Sequence, residues 1–459
     1  MSLLTHPRRR RTADKPQWRL VSAFLAVIAL GTLLLTLPLS GANGQRIALA
    51  DAVFTATSAT CVTGLSVVDI GSRLSIFGQI VVMLLIQVGG VGIMTVGTFL
   101  LIVLGRRLSV RSESVLAAAI GEGDSISIGS LLRGTVLFSA VIEGLGAAVL
   151  TWRHWSAGYT PLRALYYGVF HAVSAFCNAG FSLFPSNLEA MRTDPYYIVT
   201  IGLLIVLGGV GFLVLHNFSR YRFWDRNRLK RGRISAHSRM VLQMTIVLAL
   251  VGALLYGVLE WNHALAGRSQ ADKCLGAAFQ SVTARTAGFN LVDMSQQIEA
   301  TRLVTMGLMF IGGSPGSTAG GVKTTTLLVL LLTLAAIIRG RPTTLYGVRA
   351  IPETIVREAI TIFLLAICFV AGIFGLLLLT EAPPPGGSAS FPLLFETISA
   401  FGTVGLSLNL TPHISSLGRV LLMLAMFVGR LGPLTVVLIV GSSSKGEYIH
   451  HPEEEVVVG

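Results

Sequence analysis

Four segments of the chain share a pattern suited to backbone chemistry: FTATSATCVTGLS from Phe54, FHAVSAFCNAGFS from Phe170, FQSVTARTAGFN from Phe279 and FETISAFGTVGLS from Phe395. Each runs Phe, three residues, Ser or Thr, then Ala. A short variable stretch follows, then a glycine (Gly64, Gly180, Gly288, Gly405), a Phe or Leu, and a Ser or Asn. The third copy is one residue shorter between Ala284 and Gly288. Spacings of 116, 108 and 117 residues between the glycines mark a tandem repeat. A cation stripped of water needs oxygen ligands, and backbone carbonyls supply them at fixed spacing without adding charge. Glycine at the turn permits positive φ and lets four backbones approach one another. The ion-holding stretches are then Cys61, Val62, Thr63 and Gly64; Cys177, Asn178, Ala179 and Gly180; Thr286, Ala287 and Gly288; and Gly402, Thr403, Val404 and Gly405. One copy alone would read as a glycine in a turn or helix contact; four aligned copies carry the reading. Arg285, inside the third stretch, is expected to turn its guanidinium behind the loop, to backbone carbonyls or an acid such as Glu396, or simply to pack.

These loops need elements to hold them. About ten apolar or small residues precede each glycine, too few to cross a bilayer, so a re-entrant half-helix that turns back is expected. Irregular backbone at membrane depth is tolerated only where protein buries it or it lines a watery cavity, so four such loops imply one shared cavity. Each half-helix would end toward that cavity, placing its negative dipole end where a cation rests. With 53% hydrophobic and 12% charged residues and a mean hydropathy of +0.72, the 459-residue chain belongs in lipid. Trp18 to Leu37, Leu131 to Trp152, Ile198 to Leu215, Met240 to Leu259 and Val420 to Val440 are long enough to span, and roughly eight crossings are expected. The fold expected is an all-α polytopic membrane protein of four tandem helix, re-entrant loop, helix units around a pseudo-fourfold pore. The units divide as 1–108, 109–220, 221–340 and 341–459.

Charge gives the orientation. Two crossings per unit put every connection between units on the side of the N-terminus, and these connections are basic. The first holds Arg106, Arg107 and Arg111; the second runs from Arg220 to Arg239 with eight Arg or Lys against one acid; the third holds Arg339, Arg341, Arg349 and Arg357. Loops on the re-entrant side carry fewer, such as Arg46 and Arg73. Arg8 to Arg11, Lys15 and Arg19 precede the first span without a cleavage pattern, so they read as a cytoplasmic start and not a signal peptide. Both termini are expected in the cytoplasm. The net charge of +13 is this bias and does not indicate nucleic acid. Cys61, Cys177, Cys274 and Cys368 lie too far apart for a zinc or disulfide framework.

The second span of the third unit is interrupted by IGGSPGSTAGGVKTTT, where Gly312, Gly313, Ser314, Pro315, Gly316, Ser317, Thr318, Ala319, Gly320 and Gly321 cannot continue a helix. A phosphate-binding loop is a near miss, since Val322 intervenes before Lys323 and an apolar span replaces the required strand. Arg430, in MLAMFVGRLGPLTVVL, is an intramembrane charge and so a functional candidate, with interhelical bonding as the alternative. Glu143 reads as a packing residue. Gly89, Gly90 and Gly92, and Gly208, Gly209 and Gly211, have the spacing of close helix contacts against the re-entrant units.

The filters TCVTGL, FCNAGF, ARTAGF and FGTVGL, repeated over the whole chain, resemble the TrkH/KtrB/HKT superfamily of potassium transporters, whose members look like a potassium channel tetramer fused into one chain. The first unit begins almost at the N-terminus, which is more like the KtrB branch. One glycine per filter departs from the double-glycine channel signature and implies fewer well-formed ion sites. The resemblance implies potassium uptake across the bacterial inner membrane, with sodium as a further transported or activating ion. It implies that the unwound segment is an intramembrane gating loop beneath the filter, with Arg430 and Lys323 adding charge at its level. It implies no cofactor on this chain, a homodimer, and a cytoplasmic RCK-type, KtrA-like ring that binds the regulatory nucleotide. The rival is an alternating-access carrier, against which the same-way orientation of the repeats argues. No H-E-x-x-H, nucleophile elbow or Walker motif points to an enzyme.

Overall fold

A computed structural model describes residues 16–107, 128–220, 234–381 and 390–432. In chain order α1 (Pro16–Leu35) leads into the short α2 (Leu49–Thr60), and after the one-turn α3 (Ile70–Arg73) the chain returns through α4 (Ile76–Arg107). The order then recurs with α5 (Ile128–Ser156), the short α6 (Pro161–Phe176), α7 (Pro195–Val210) and α8 (Phe212–Arg220). A third set follows with α9 (Ala236–Glu260), the short α10 (Gln270–Thr283), α11 (Glu299–Phe310) and α12 (Thr324–Ile338). The fourth comprises α13 (Glu353–Thr380), the short α14 (Ser390–Gly402) and α15 (Ser416–Leu431). An antiparallel hairpin, β1 (Leu345–Tyr346) with β2 (Arg349–Ala350), lies between the third and fourth sets.

Local chemistry starts the elements. Pro161 opens α6 where its missing N–H costs nothing. Ser235, Ser269 and Ser415 cap α9, α10 and α15 by accepting from Ser238 N, Asp272 N and Gly418 N at 3.1, 3.2 and 3.1 Å. The short helices form the buried centre: Phe54, Phe170, Phe279 and Phe395, which begin the repeated pattern, are all buried. The long helices present Leu137, Leu250, Leu254 and Leu379 outward, each more than 60% exposed. A ring of buried short helices inside apolar-faced long ones is inverted relative to a water-soluble protein and matches lipid as solvent. Among the described residues three helices are long and apolar enough to cross a membrane, four with the bent α7–α8 pair, and shorter apolar helices at Val21–Leu35, Ile76–Gly92 and Thr324–Ile338 accompany them. The chain is an all-α, multi-pass membrane protein.

One expected span is corrected. Ile198 to Leu215 is not one straight helix: α7 and α8 meet at 94°, with Gly211 at φ +88° between them. Of the span drawn from Val420 to Val440, α15 covers the part to Leu431, Gly432 takes φ +87°, and the remainder lies outside the described residues. Residues from 433 onward, the HHPEEEVVVG tail among them, lie outside the described residues, as do Arg8 to Arg11, Lys15, Arg111, residues 221–233 of the second basic connection and the unit boundaries at 108–109 and 221. In the third connection Arg339, Arg341 and Arg349 are exposed. On the opposite side, Arg153 pairs with Asp194 and Arg419 with Asp51, so these basic residues are locally balanced.

Candidate functional site

Each short helix ends in a loop of one shape. Past the helix end the chain takes positive φ at Val62, Asn178, Thr286 and Thr403 (57, 59, 74 and 51°), and again two residues later at Gly64, Gly180, Gly288 and Gly405 (93, 68, 77 and 91°). The residues between them, Thr63, Ala179, Ala287 and Val404, do not. Such alternation turns the N–H groups of successive residues to one side and the carbonyls to the other. Left-handed backbone is unremarkable for Asn178 but costs about 1–3 kcal/mol for residues such as Val62, Thr286 and Thr403. Neighbours must therefore hold it.

The holders are hydroxyls on the short helices. Ser58 Oγ accepts from Gly64 N and Ser399 Oγ from Gly405 N, both at 3.1 Å. Ser174 Oγ donates to Phe181 O and Thr283 Oγ1 to Phe289 O, both at 2.7 Å. These four residues are the Ser or Thr of the repeated pattern. The sequence displayed them, yet nothing in a hydroxyl's spacing says that it reaches forward to the glycine and not back along its own helix. In the shortened third copy α10 ends at the Thr of the pattern, Thr283, whereas α2 and α6 run two residues past their Ser, to Thr60 and Phe176. There Ala287 N donates to Thr283 O at 3.0 Å, four residues back. The other copies reach five back, from Thr63 N to Ser58 O (2.8 Å), Ala179 N to Ser174 O (2.7 Å) and Val404 N to Ser399 O (2.9 Å).

The four loops close into a ring. A β-carbon built on Gly64 would lie 2.4 Å from Ala179 O; on Gly180, 2.7 Å from Ala287 O; on Gly288, 2.2 Å from Val404 O; and on Gly405, 2.2 Å from Thr63 O. Every glycine thus abuts the carbonyl before the glycine of the next copy, and the fourth returns to the first. Positive φ and contact with a neighbouring backbone both require glycine here.

The residues at the helix ends lie behind this ring. Cys61 and Cys177 are buried free thiols. Cys177 Sγ faces the Glu143 carboxylate at 3.8 Å, and that carboxylate accepts from Gln87 Nε2 of α4 at 3.0 and 3.2 Å. Glu143 therefore packs α5 against α4 and the second loop, as a packing residue should. Arg285 is buried, but it does not meet Glu396, whose carboxylate is occupied by Ser407, Leu408 and Thr411. The acid partner expected for Arg285 is thus wrong. Its Nε is buried without a hydrogen-bond partner.

Beneath the ring, on the side away from the limbs that leave the glycines, α11 stops at Phe310 and α12 resumes at Thr324. The intervening loop is pinched at its neck by Gly312 N to Val322 O (2.8 Å), Val322 N to Phe310 O (3.2 Å) and Thr324 N to Gly313 O (3.0 Å). Its tip, Ser314-Pro315-Gly316-Ser317, closes through Ser317 N to Ser314 O at 3.2 Å, with φ +72° at Gly316. Pro at the second and a left-handed Gly at the third position are the signature of a type II turn. The loop bonds to other copies on several sides. Ser314 N donates to Gly209 O (3.0 Å), Thr318 Oγ1 to Phe176 O (3.2 Å) and Gly321 N to Gly429 O (3.3 Å). Gly320 N donates to Thr403 Oγ1 at 3.1 Å, so the loop touches the fourth repeated segment directly. Arg430 is buried, donating from Nη1 to Thr318 O and from Nη2 to Gly89 O at 2.7 Å. Lys323 Nζ turns back to Ala319 O at 2.6 Å.

A second repeat supports the floor. Gly89, Gly208 and Gly429 each lie against the carbonyl of Thr60, Phe176 or Phe401 near the end of a short helix, where a β-carbon would come within 2.0, 1.9 and 1.8 Å. The residue after each is Gly90, Gly209 and Arg430, and the third copy has Gly312 and Gly313 there. Packing of Gly89, Gly90 and Gly208 against the re-entrant units is as expected; the sequence reading did not align these glycines with Gly429 and so missed that Arg430 replaces a glycine.

Residues 2–446 match the family model described as TrkH: Cation transport protein. The chain is 37% identical over 452 residues to the "Ktr system potassium uptake protein B" of Bacillus subtilis, covering 97% of this chain and 96% of that one. It is 34% identical over 461 residues to the "Potassium/sodium uptake protein NtpJ" of Enterococcus hirae, covering 98% and 99%. Among solved structures it is similar to the potassium transporter TrkH from Vibrio parahaemolyticus, with a TM-score of 0.71 at 19% identity over 95% of this chain and 87% of that one, a likeness of fold.

Proposed function

Since the chain belongs to the TrkH family of cation transport proteins, transporters and not enzymes, we propose that it is the ion-translocating membrane subunit of a Ktr- or Trk-type potassium uptake system. The observation that carries this reading is the closed ring in which Gly64, Gly180, Gly288 and Gly405 each abut the next copy's carbonyl. Four short carbonyl-lined strands meeting at one axis form a filter that replaces a cation's hydration shell. Four short helices end toward it, and their partial negative charges favour a cation. The loop from Gly312 to Gly321, with Lys323 and Arg430, is the gate: it occupies the path beneath the filter and is latched to other copies. Sodium enters as a second or activating ion, in keeping with the name of the Enterococcus hirae relative. The subunit works in the bacterial inner membrane with both termini cytoplasmic, as a homodimer on a KtrA-like ring that carries the nucleotide.

The test is rubidium uptake by proteoliposomes with sodium as competitor. Gly→Ser at each filter glycine in turn places a side chain against a neighbouring carbonyl and is expected to lower rubidium over sodium discrimination about tenfold, the effect of roughly 1.4 kcal/mol. Unchanged discrimination in all four variants defeats the filter assignment.

A further inference from the structure

The residue one place after the repeated phenylalanine is polar in every copy: Thr55, His171, Gln280 and Glu396. In three of them it reaches from the short helix to the limb that leaves the glycine. His171 Nδ1 donates to Tyr167 O at 2.8 Å, which leaves Nε2 to accept from Leu183 N at 3.4 Å and from Ser182 Oγ at 3.1 Å. Gln280 Nε2 donates to Met294 Sδ at 3.2 Å. Glu396, fully buried, accepts at Oε1 from Ser407 Oγ and from Leu408 N (3.1 Å), and at Oε2 from Thr411 Oγ1 (2.8 Å). No basic side chain pairs with it among the described residues. Thr55 is too short for this reach: its hydroxyl is buried without a partner, and Ser66, placed like Ser182 and Ser407, bonds within its own turn to Val68 O.

We propose that Glu396 is a positioning residue for cation discrimination, tying the limb from Ser407 to Thr411 to α14 so that the fourth loop keeps its place in the ring. Its neutral counterparts His171 and Gln280 do the same work in their copies, so the tie matters and not the charge. An inward-facing loop is held at the glycine by Ser399, and its outward limb has Glu396 as the anchor from the same helix. Losing three bonds at once frees that limb, and a loosened carbonyl ring accepts the smaller sodium ion more readily.

This inference rests on the filter reading above, and the experiment separates the two. Rubidium uptake under sodium competition is measured on the full chain in proteoliposomes for E396A, E396Q, T55V, G405S and the double variant S407A/T411V. E396A and S407A/T411V are expected to lower rubidium over sodium discrimination about fivefold or more, whereas E396Q, which retains an accepting oxygen, and T55V stay within about twofold of the parent. The double variant removes the two hydroxyl donors from the other side, leaving Leu408 N as the remaining one, and stands in for E396A if that protein does not fold. Discrimination preserved in S407A/T411V overturns the proposal, and so does E396Q failing as badly as E396A, which would make charge the active property. If G405S leaves discrimination intact together with the other three glycine variants the filter reading fails; if G405S lowers it while S407A/T411V does not, only the tie fails.

Discussion

A hydroxyl at one place in four copies does two different jobs. Ser58 and Ser399 accept from a glycine N–H, whereas Ser174 and Thr283 donate to the carbonyl one residue on. The hydrogen bond in each case offsets part of the left-handed strain described above. Ser58→Ala leaves Gly64 N without its partner, at a cost of about 1–3 kcal/mol if the N–H stays dry. It is expected to lower rubidium over sodium discrimination by several-fold to about tenfold, while Ser58→Thr, which restores the oxygen, brings it back. Sodium competition at matched protein levels checks both. At this scale the sequence was legible where a residue type has one use. Glycine at Gly64 or Gly405 announced close approach and positive φ. A serine mid-helix announces nothing of the kind, and Val62, Thr286 and Thr403 carry a preference for the opposite backbone, so their left-handed state is imposed by tertiary contact. Arg285 shows the same limit, since its expected partner Glu396 belongs to a different network.

Composition alone showed that α11 could not continue through Gly312 to Gly321, and the break lies where it was expected. The bend between α7 and α8 was not legible, for a reason the chain itself supplies. VGGVG at 88–92 stays inside the continuous α4, while LGGVG at 207–211 ends at a 94° corner. The difference is a neighbour: Phe212 N, freed by the corner, donates to Gly316 O of the unwound loop at 3.2 Å, and Ser314 bonds to Gly209 O and Val210 O. An element's shape is here set by another copy's loop, which no local pattern contains. The latch on that loop gives a further prediction. Arg430 makes two charge-assisted hydrogen bonds, to Thr318 O and Gly89 O. On the proposed gating role of the loop, removing them in Arg430→Gln should shift its closed to open balance by about 2–4 kcal/mol, a factor on the order of 30 to 1,000. Uptake rates in proteoliposomes should rise, and deletion of Gly313 to Gly321 should raise them too. A folded deletion variant with the parent's rate would remove the loop from the gating role.

Across the molecule, the ring makes each copy a contact surface for the next. Substitutions at neighbouring filter glycines should therefore couple, since residues in contact depart from additivity by about 0.5–3 kcal/mol. The Gly64→Ser/Gly180→Ser pair is expected to lose less discrimination than the two single losses multiplied, and Gly64→Ser/Gly288→Ser, across the ring, to come nearer to the product. Sodium competition on the singles and both doubles measures it. Fold class, repeat and the positions of the ring glycines were readable because they are properties of periodicity. The asymmetries were not, because each is a single departure from the repeat whose meaning depends on what stands opposite. Arg430 is the clearest of these, occupying the place that glycine holds in three copies. Were four identical subunits to build this ring, any arginine at that position would appear four times, and buried like charges brought close together repel by several kcal/mol per pair. Covalent linkage of the copies lifts that stoichiometric ban. A tandem chain can install one guanidinium where the other three copies keep a glycine, and so make bonds between copies that a true fourfold assembly is forbidden to encode.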